Sequence, residues 1–169
     1  MRRVLLIAIA LSLLALLGLR VRWWLASDAT RIRWRLEQME AGFNDSRLGP
    51  CLRGVAEGWR DADAGIDRDR LADVLRSLFF HENDPDSGRF LYRVELERDT
   101  LVIETDPGRE GNARVEVVAR FSTLQGEDWS PTWRLRVRAE MAEDPERGWQ
   151  AVRSEHETLE SDGRLRRER

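Results

Sequence analysis

The sequence predicts an α+β domain behind an N-terminal apolar segment. Three observations carry this: an uncharged run from Val4 to Leu19, apolar residues at helical spacing between Ile32 and Phe79, and strict alternation from Phe90 to Glu160. Helices followed by strands indicate a segregated fold rather than repeated βα units. With 169 residues, of which 41% are hydrophobic, the chain has one domain with a real core and a short appendage.

The first element is "MRR" followed by "VLLIAIALSLLALLGL" and then "RVRWWLASD". Cleavage as a signal peptide requires small residues after a polar neck, whereas Arg20, Arg22, Trp23 and Trp24 follow the apolar run. As a helix the run rises only about 24 Å, short of a hydrocarbon core of about 30 Å. Val21 to Leu25 make up the deficit, with Arg20 and Arg22 snorkelling and Trp23 and Trp24 at the interface. The expected element is a single-pass anchor over residues 1–26. By charge count, Arg20, Arg22, Arg31, Arg33 and Arg35 outweigh Arg2 and Arg3 and favour a cytoplasmic domain. The basic start followed at once by an apolar run has the form of an export signal, so the favoured placement is periplasmic, on a bacterial inner membrane.

From Ser27 the pattern is amphipathic. Ile32, Leu36, Met39 and Phe43 form one helical stripe, with Asp28 or Thr30 as its cap. A second short helix carries Pro50 in its first turn, uses Leu48, Leu52 and Val55 as its apolar face, and is expected to end near Gly58. The stretch "GWRDADAGIDRDRLADVL" then opens a third helix. Asp67 is its N-cap, Asp69 lies in its first turn, Ile66 staples to Leu71, and Leu71, Leu75, Leu78 and Phe79 face the core. The run resembles a calcium loop, but counted from Asp61 such a loop would need Gly and Glu where Ile66 and Ala72 stand, which favours the helix start. "HENDPDSG" concentrates His81, Glu82, Asp84 and Asp86, residue types that bind metals, but its Asn, Asp, Pro, Ser and Gly are also what a turn requires, and the turn is the expected reading.

Strands follow. "FLYRVELE" and "TLVIETD", joined by "RD", are expected to form a hairpin. "NARVEVVARFSTL", "TWRLRVRAEMA" and "GWQAVRSEHETLE" complete an antiparallel sheet. One face is apolar (Val115, Val117, Phe121, Trp133, Leu135, Val137) and the other is a lattice of Arg and Glu, the signature of a sheet covered on one side. Residues 27–160 make the domain, and 161–169 form a disordered charged tail.

Composition removes several function classes. The basic residues are all arginine, yet the net charge is −3, so nucleic acid gains no general attraction. A single cysteine, Cys51, excludes an internal disulfide and any cysteine-clustered metal site. No cofactor motif and no metal-ligand set is legible, and His156 is far in sequence from His81.

The stretch "AGFNDSRLGPCLRGVAEGWRD" that closes the first helix, the acidic turn into "DRDRLADVLRSLFF", and "GWQAV" after "DPERG" resemble the nuclear transport factor 2-like superfamily, which includes SnoaL-like proteins and ketosteroid isomerases. The resemblance covers roughly Ala29 to Glu160. It implies a cone-shaped, cystatin-like fold in which a curved antiparallel sheet wraps about three helices. On that frame Trp59, Phe80, Tyr92, Phe121, Trp133 and Trp149 are the candidate pocket lining for a small apolar ligand. Isomerase-type chemistry would use Asp61 as base and Tyr92 as donor. The leading expectation is a membrane-anchored, noncatalytic domain holding an apolar ligand or a protein partner. The alternatives are such an enzyme, or a module that dimerises through its Arg/Glu face.

Overall fold

The computed structural model describes residues 26–106 and 108–161. The anchor, with Arg20, Arg22, Trp23 and Trp24, and tail residues 162–169 lie outside the described residues. Among the described residues, no helix is long and apolar enough to cross a membrane.

These residues form α1 (Asp28–Asn44), α2 (Leu48–Arg53), β1 (Val55–Asp61), α3 (Arg68–His81), β2 (Tyr92–Thr105), β3 (Asn112–Gln125), β4 (Asp128–Asp144) and β5 (Gly148–Ser161). The strands make one sheet in the order β1-β5-β4-β3-β2. Neighbours are antiparallel except β1 and β5, which run parallel. The result is an α+β fold, with helices packed on one face of a curved sheet.

Helix α1 is capped by Ser27, whose Oγ accepts the Thr30 N–H, one residue before the expected cap. Its stripe is used as the spacing predicts. Ile32 is 0% exposed and packs with Ala113, Val115, Met141 and Trp149. Further along, Met39 packs beside Val55, Trp59 and Ala151. Phe43 lies edge-on to Phe79, Phe90 and Phe121, with ring centroids 5.7, 5.5 and 6.0 Å apart. Asp67 caps α3 by accepting the Arg70 N–H, and Ile66 and Leu71 both pack against the Trp59 cluster.

Three local expectations are corrected. The second helix stops at Arg53, and Val55 belongs to strand β1, whose register with β5 shifts between Val55 and Arg60. The parallel β1–β5 pair also makes the sheet mixed rather than wholly antiparallel. The expected hairpin at "RD" is one long strand, β2, with an irregularity between Glu97 and Val102. There the Thr100 hydroxyl donates to the Glu97 carbonyl at 2.7 Å and accepts the Val118 N–H at 2.9 Å, replacing the interrupted ladder.

Strand β2 is an edge, and α1 shields it with side chains. Asn44 Nδ2 donates to the Val94 carbonyl at 2.9 Å, and Asn44 Oδ1 accepts the Val94 N–H at 2.8 Å. Glu40 Oε1 accepts the Leu96 N–H at 3.2 Å, and Arg98 pairs with both Glu37 and Glu40. Helix side chains thus occupy groups to which another strand would add. Asn44→Ala leaves two partly buried backbone groups without their partner and is expected to lower unfolding stability by about 2 kcal/mol. Urea unfolding monitored by tryptophan fluorescence tests this.

Candidate functional site

The region that collects polar groups on the apolar side of the sheet is the corner where β1 turns into α3. Asp61 is the last residue of β1 and is only 8% exposed. Its Oδ1 accepts the N–H groups of Asp63 and Ala64 at 3.2 and 2.8 Å, closing a local turn. Its Oδ2 accepts the Ser154 hydroxyl at 2.7 Å, fastening the turn to β5. The backbone supports the same junction, since Ala62 N–H donates to the Ser154 carbonyl at 2.8 Å.

Two residues further along β5, His156 completes the corner. Its Nδ1 lies 3.4 Å from Asp61 Oδ1 and 3.9 Å from Asp63 Oδ2, and its backbone N–H donates to Asp63 Oδ2 at 2.5 Å. A register shift between Met141 and Glu140 allows this, because it turns Ser154 and His156 to the face already occupied by Ala151. Burial pushes the Asp61 carboxyl up, but hydrogen bonds from Ala64 and Ser154 together with nearby His156 outweigh it, holding the group below the usual carboxylate range.

His156 sits opposite Val137 on β4, and Val137 opposite Val117 on β3. Along β4 the inward positions run Met141, Ala139, Val137, Leu135 and Trp133. Met141 is fully covered beneath Ile32, whereas Val137, Leu135 and Trp133 are half-buried. An apolar floor that remains partly accessible therefore ends at the Asp61–His156 corner. At its far end the floor meets an aromatic group: Phe121 lies edge-on to Trp133 at 6.3 Å, and Phe90 contacts Phe79 at 5.3 Å and Tyr92 at 5.8 Å.

The residues expected to line a pocket separate into three groups. Phe121, Trp133 and Tyr92 do share the aromatic end of the inward face. Trp59 and Trp149 are buried in different apolar clusters and fill them. Phe80 is 79% exposed and lines no interior, because its neighbour Phe79 takes the inward position on α3. Asp61 and Tyr92 lie on opposite edge strands, with β5, β4 and β3 between them. The structure therefore does not bring the proposed base and donor together; it brings Asp61 to His156. Burial pushes the Cys51 thiol up to about 11, which leaves it protonated and poorly nucleophilic.

The opposite face is the expected charged lattice. Glu97 binds Arg120 at 2.8 Å and Arg134 through two bonds of 2.8 and 2.9 Å, and Arg134 continues to Glu160. Glu116 and Glu157 hold Arg136, and Glu116 and Glu155 hold Arg138. Hydrogen bonds from Arg134, then from Arg120, hold the Glu97 carboxyl below its ordinary value despite an opposing contribution from burial.

No protein-family model matches the chain, and no curated protein matches it in sequence. Solved structures do match. A nuclear transport factor 2-like protein with a cystatin-like fold from Novosphingobium aromaticivorans is 16% identical, with a TM-score of 0.60 over 89% of this chain and 92% of that one. A cystatin-like domain of unknown function from Nostoc punctiforme is 17% identical, with a TM-score of 0.60 over 82% and 81%. A ketosteroid isomerase-like protein from Erwinia carotovora atroseptica is 12% identical, with a TM-score of 0.53 over 76% and 94%. At such identities the likeness shows the fold alone: this chain has the nuclear transport factor 2-like, cystatin-like α+β fold.

Asp61 and Glu97 set an acid limit. A carboxyl lower in the folded than in the unfolded chain contributes stability that is complete above the unfolded value, about 4, and is lost as pH falls through the folded value. Urea midpoints are therefore expected to be level near neutrality and to drop below about pH 4. Asp61→Asn, which trades a charged acceptor for a weaker neutral one, is expected to cost about 1–3 kcal/mol at pH 7 and to flatten the acid limb. Urea unfolding of both chains across pH tests the pair of expectations.

Proposed function

We propose that this chain is a membrane-anchored, noncatalytic domain of the bacterial envelope that holds a small apolar ligand with one hydrogen-bonding end. The supporting observation is the half-buried floor of Trp133, Leu135 and Val137, which leads to a polar corner on that face, Asp61 with His156. Apolar binding surfaces with few convergent polar groups suit ligands of this shape. The anchor over residues 1–26 holds the domain at the inner membrane, and the export-like N-terminus favours the periplasmic side. Tethering there keeps the domain next to a reservoir of apolar molecules.

A second reading is favoured by a specific observation. Asp61 and His156 stand 3.4 Å apart, close enough to share a proton, so an isomerase or dehydratase would use this pair rather than Asp61 with Tyr92. Three of the four polar contacts to Asp61 come from Ser154, Asp63 and Ala64, which fit a carboxylate fixed as a turn anchor better than a mobile base.

The test uses the full chain in lipid nanodiscs and a naphthol, which combines an apolar ring system with one hydroxyl. Saturable quenching of tryptophan fluorescence is the expected result. Val137→Trp, which raises the floor, should weaken binding at least tenfold while circular dichroism stays native. Equal binding by that variant, or no saturable binding by the native chain, overturns the reading.

A further inference from the structure

We propose that Asp61, Asp63 and His156 form a binding site for one divalent transition-metal ion, with Zn2+ the best match. The three side chains come from the end of β1, the turn after it and β5, and their ligand atoms all lie within 4.8 Å of one another. His156 Nδ1 stands 3.4 Å from Asp61 Oδ1 and 3.9 Å from Asp63 Oδ2. Donors arranged tetrahedrally at bond lengths of about 2.1 Å are separated by about 3.4 Å. The first separation already has this value. The second reaches it if Asp63, half exposed in its turn, closes by about 0.5 Å.

The donor chemistry narrows the ion. Two carboxylates and one imidazole suit Zn2+, with Mn2+, Co2+ and Ni2+ as weaker or looser fits. Ca2+ needs six or more oxygen ligands and finds two carboxylates here. Copper(I) favours thiolate and thioether donors, and the described cysteine, Cys51, is buried on α2.

The groups behind the ligands are already in place. The Ser154 hydroxyl and the Ala64 N–H orient the Asp61 carboxylate, and the β5 backbone N–H at His156 holds Asp63. Binding requires Nδ1 of His156 to be free of its proton with the other ring nitrogen protonated, so uptake releases one proton when the ring starts as imidazolium and none when it starts neutral. Three protein ligands leave a fourth position. His156 is 34% exposed and Asp63 50%, so that position is reachable by water or by the oxygen of a small ligand. The inference does not depend on apolar-ligand binding, because the metal alone is the probe.

The experiment uses the full chain in lipid nanodiscs, stripped with a chelator and titrated with ZnCl2 by calorimetry, with Co2+ absorption as a report of coordination. The expected result is one ion per chain, bound at least tenfold more weakly by His156→Ala and by Asp63→Asn. Both variants should keep native circular dichroism, and the rise in melting temperature on adding ZnCl2 is read for each against its own metal-free value. His81→Ala, the control for the other histidine, should bind as the native chain does. Absence of saturable binding by the native chain, or native affinity in His156→Ala, overturns the inference. Naphthol binding is measured without metal, so failure of one proposal is distinguishable from failure of the other.

Discussion

Four strands of 14 to 17 residues, apolar on one face and ionic on the other, impose the constraint that organises this molecule. A flat sheet of that length would leave a long apolar face open to water. The chain bends the sheet and lays a helix across it. Register shifts at Glu97/Val102, Phe121/Ser122, Arg134/Leu135 and Glu140/Met141 interrupt the ladders and add local twist. Helix α1 fills the resulting hollow, seating Ile32 at one end, Met39 in the middle and Phe43 at the other. The same helix shields the β2 edge through Asn44 and Glu40, so cover and edge protection come from two faces of one element.

The other edge is resolved differently. Strand β1 is short and runs parallel to β5, a pairing that no tight turn can supply. Asp61 compensates by binding the turn that follows it and reaching across to Ser154, so one carboxylate fixes the end of β1, the entry to α3 and the register of β5. Burying that charge is unfavourable by itself. Hydrogen bonds from Ala64 and Ser154, together with nearby His156, outweigh the loss of water, as the lowered pKa of the group indicates.

Legibility in the sequence followed the range of the interactions involved. The stripe of α1, the Asp67 cap and the alternation of β3, β4 and β5 are local signals, and each appears where it was expected. Strand β1 was missed because "VAEGWRD" follows a helix with only Gly54 between them and pairs with a partner over ninety residues away. The β2 hairpin was misread because Arg98 and Asp99 look like a turn, whereas the Thr100 hydroxyl supplies the bond that keeps the strand continuous. Phe80 was misplaced by one helical position, since Phe79 and Phe80 cannot both point inward. The approach of His156 to Asp61 needed both the parallel pairing and the β5 register shift, neither of which leaves a local pattern. A histidine on an inward position among outward glutamates was the one available sign.

The charged face helps decide where recognition takes place. A network in which Glu97, Arg134 and Glu160 satisfy one another, and Glu116 serves two arginines, has little electrostatic attraction left for a partner. Exposed pairs of this kind add little stability individually, but they make adhesion costly, because an arriving surface must strip water from charges already neutralised. The shielded β2 edge and the paired outer lattice thus leave fewer unmet backbone and charged groups on those surfaces. The half-buried floor from Trp133 to Val137 differs from both, since it offers apolar area whose removal from water is favourable and ends at the polar corner of Asp61 and His156. Selectivity on such a floor would arise at the Asp61–His156 corner, where a ligand with a matching polar atom can join the hydrogen bonds already there and one without it cannot.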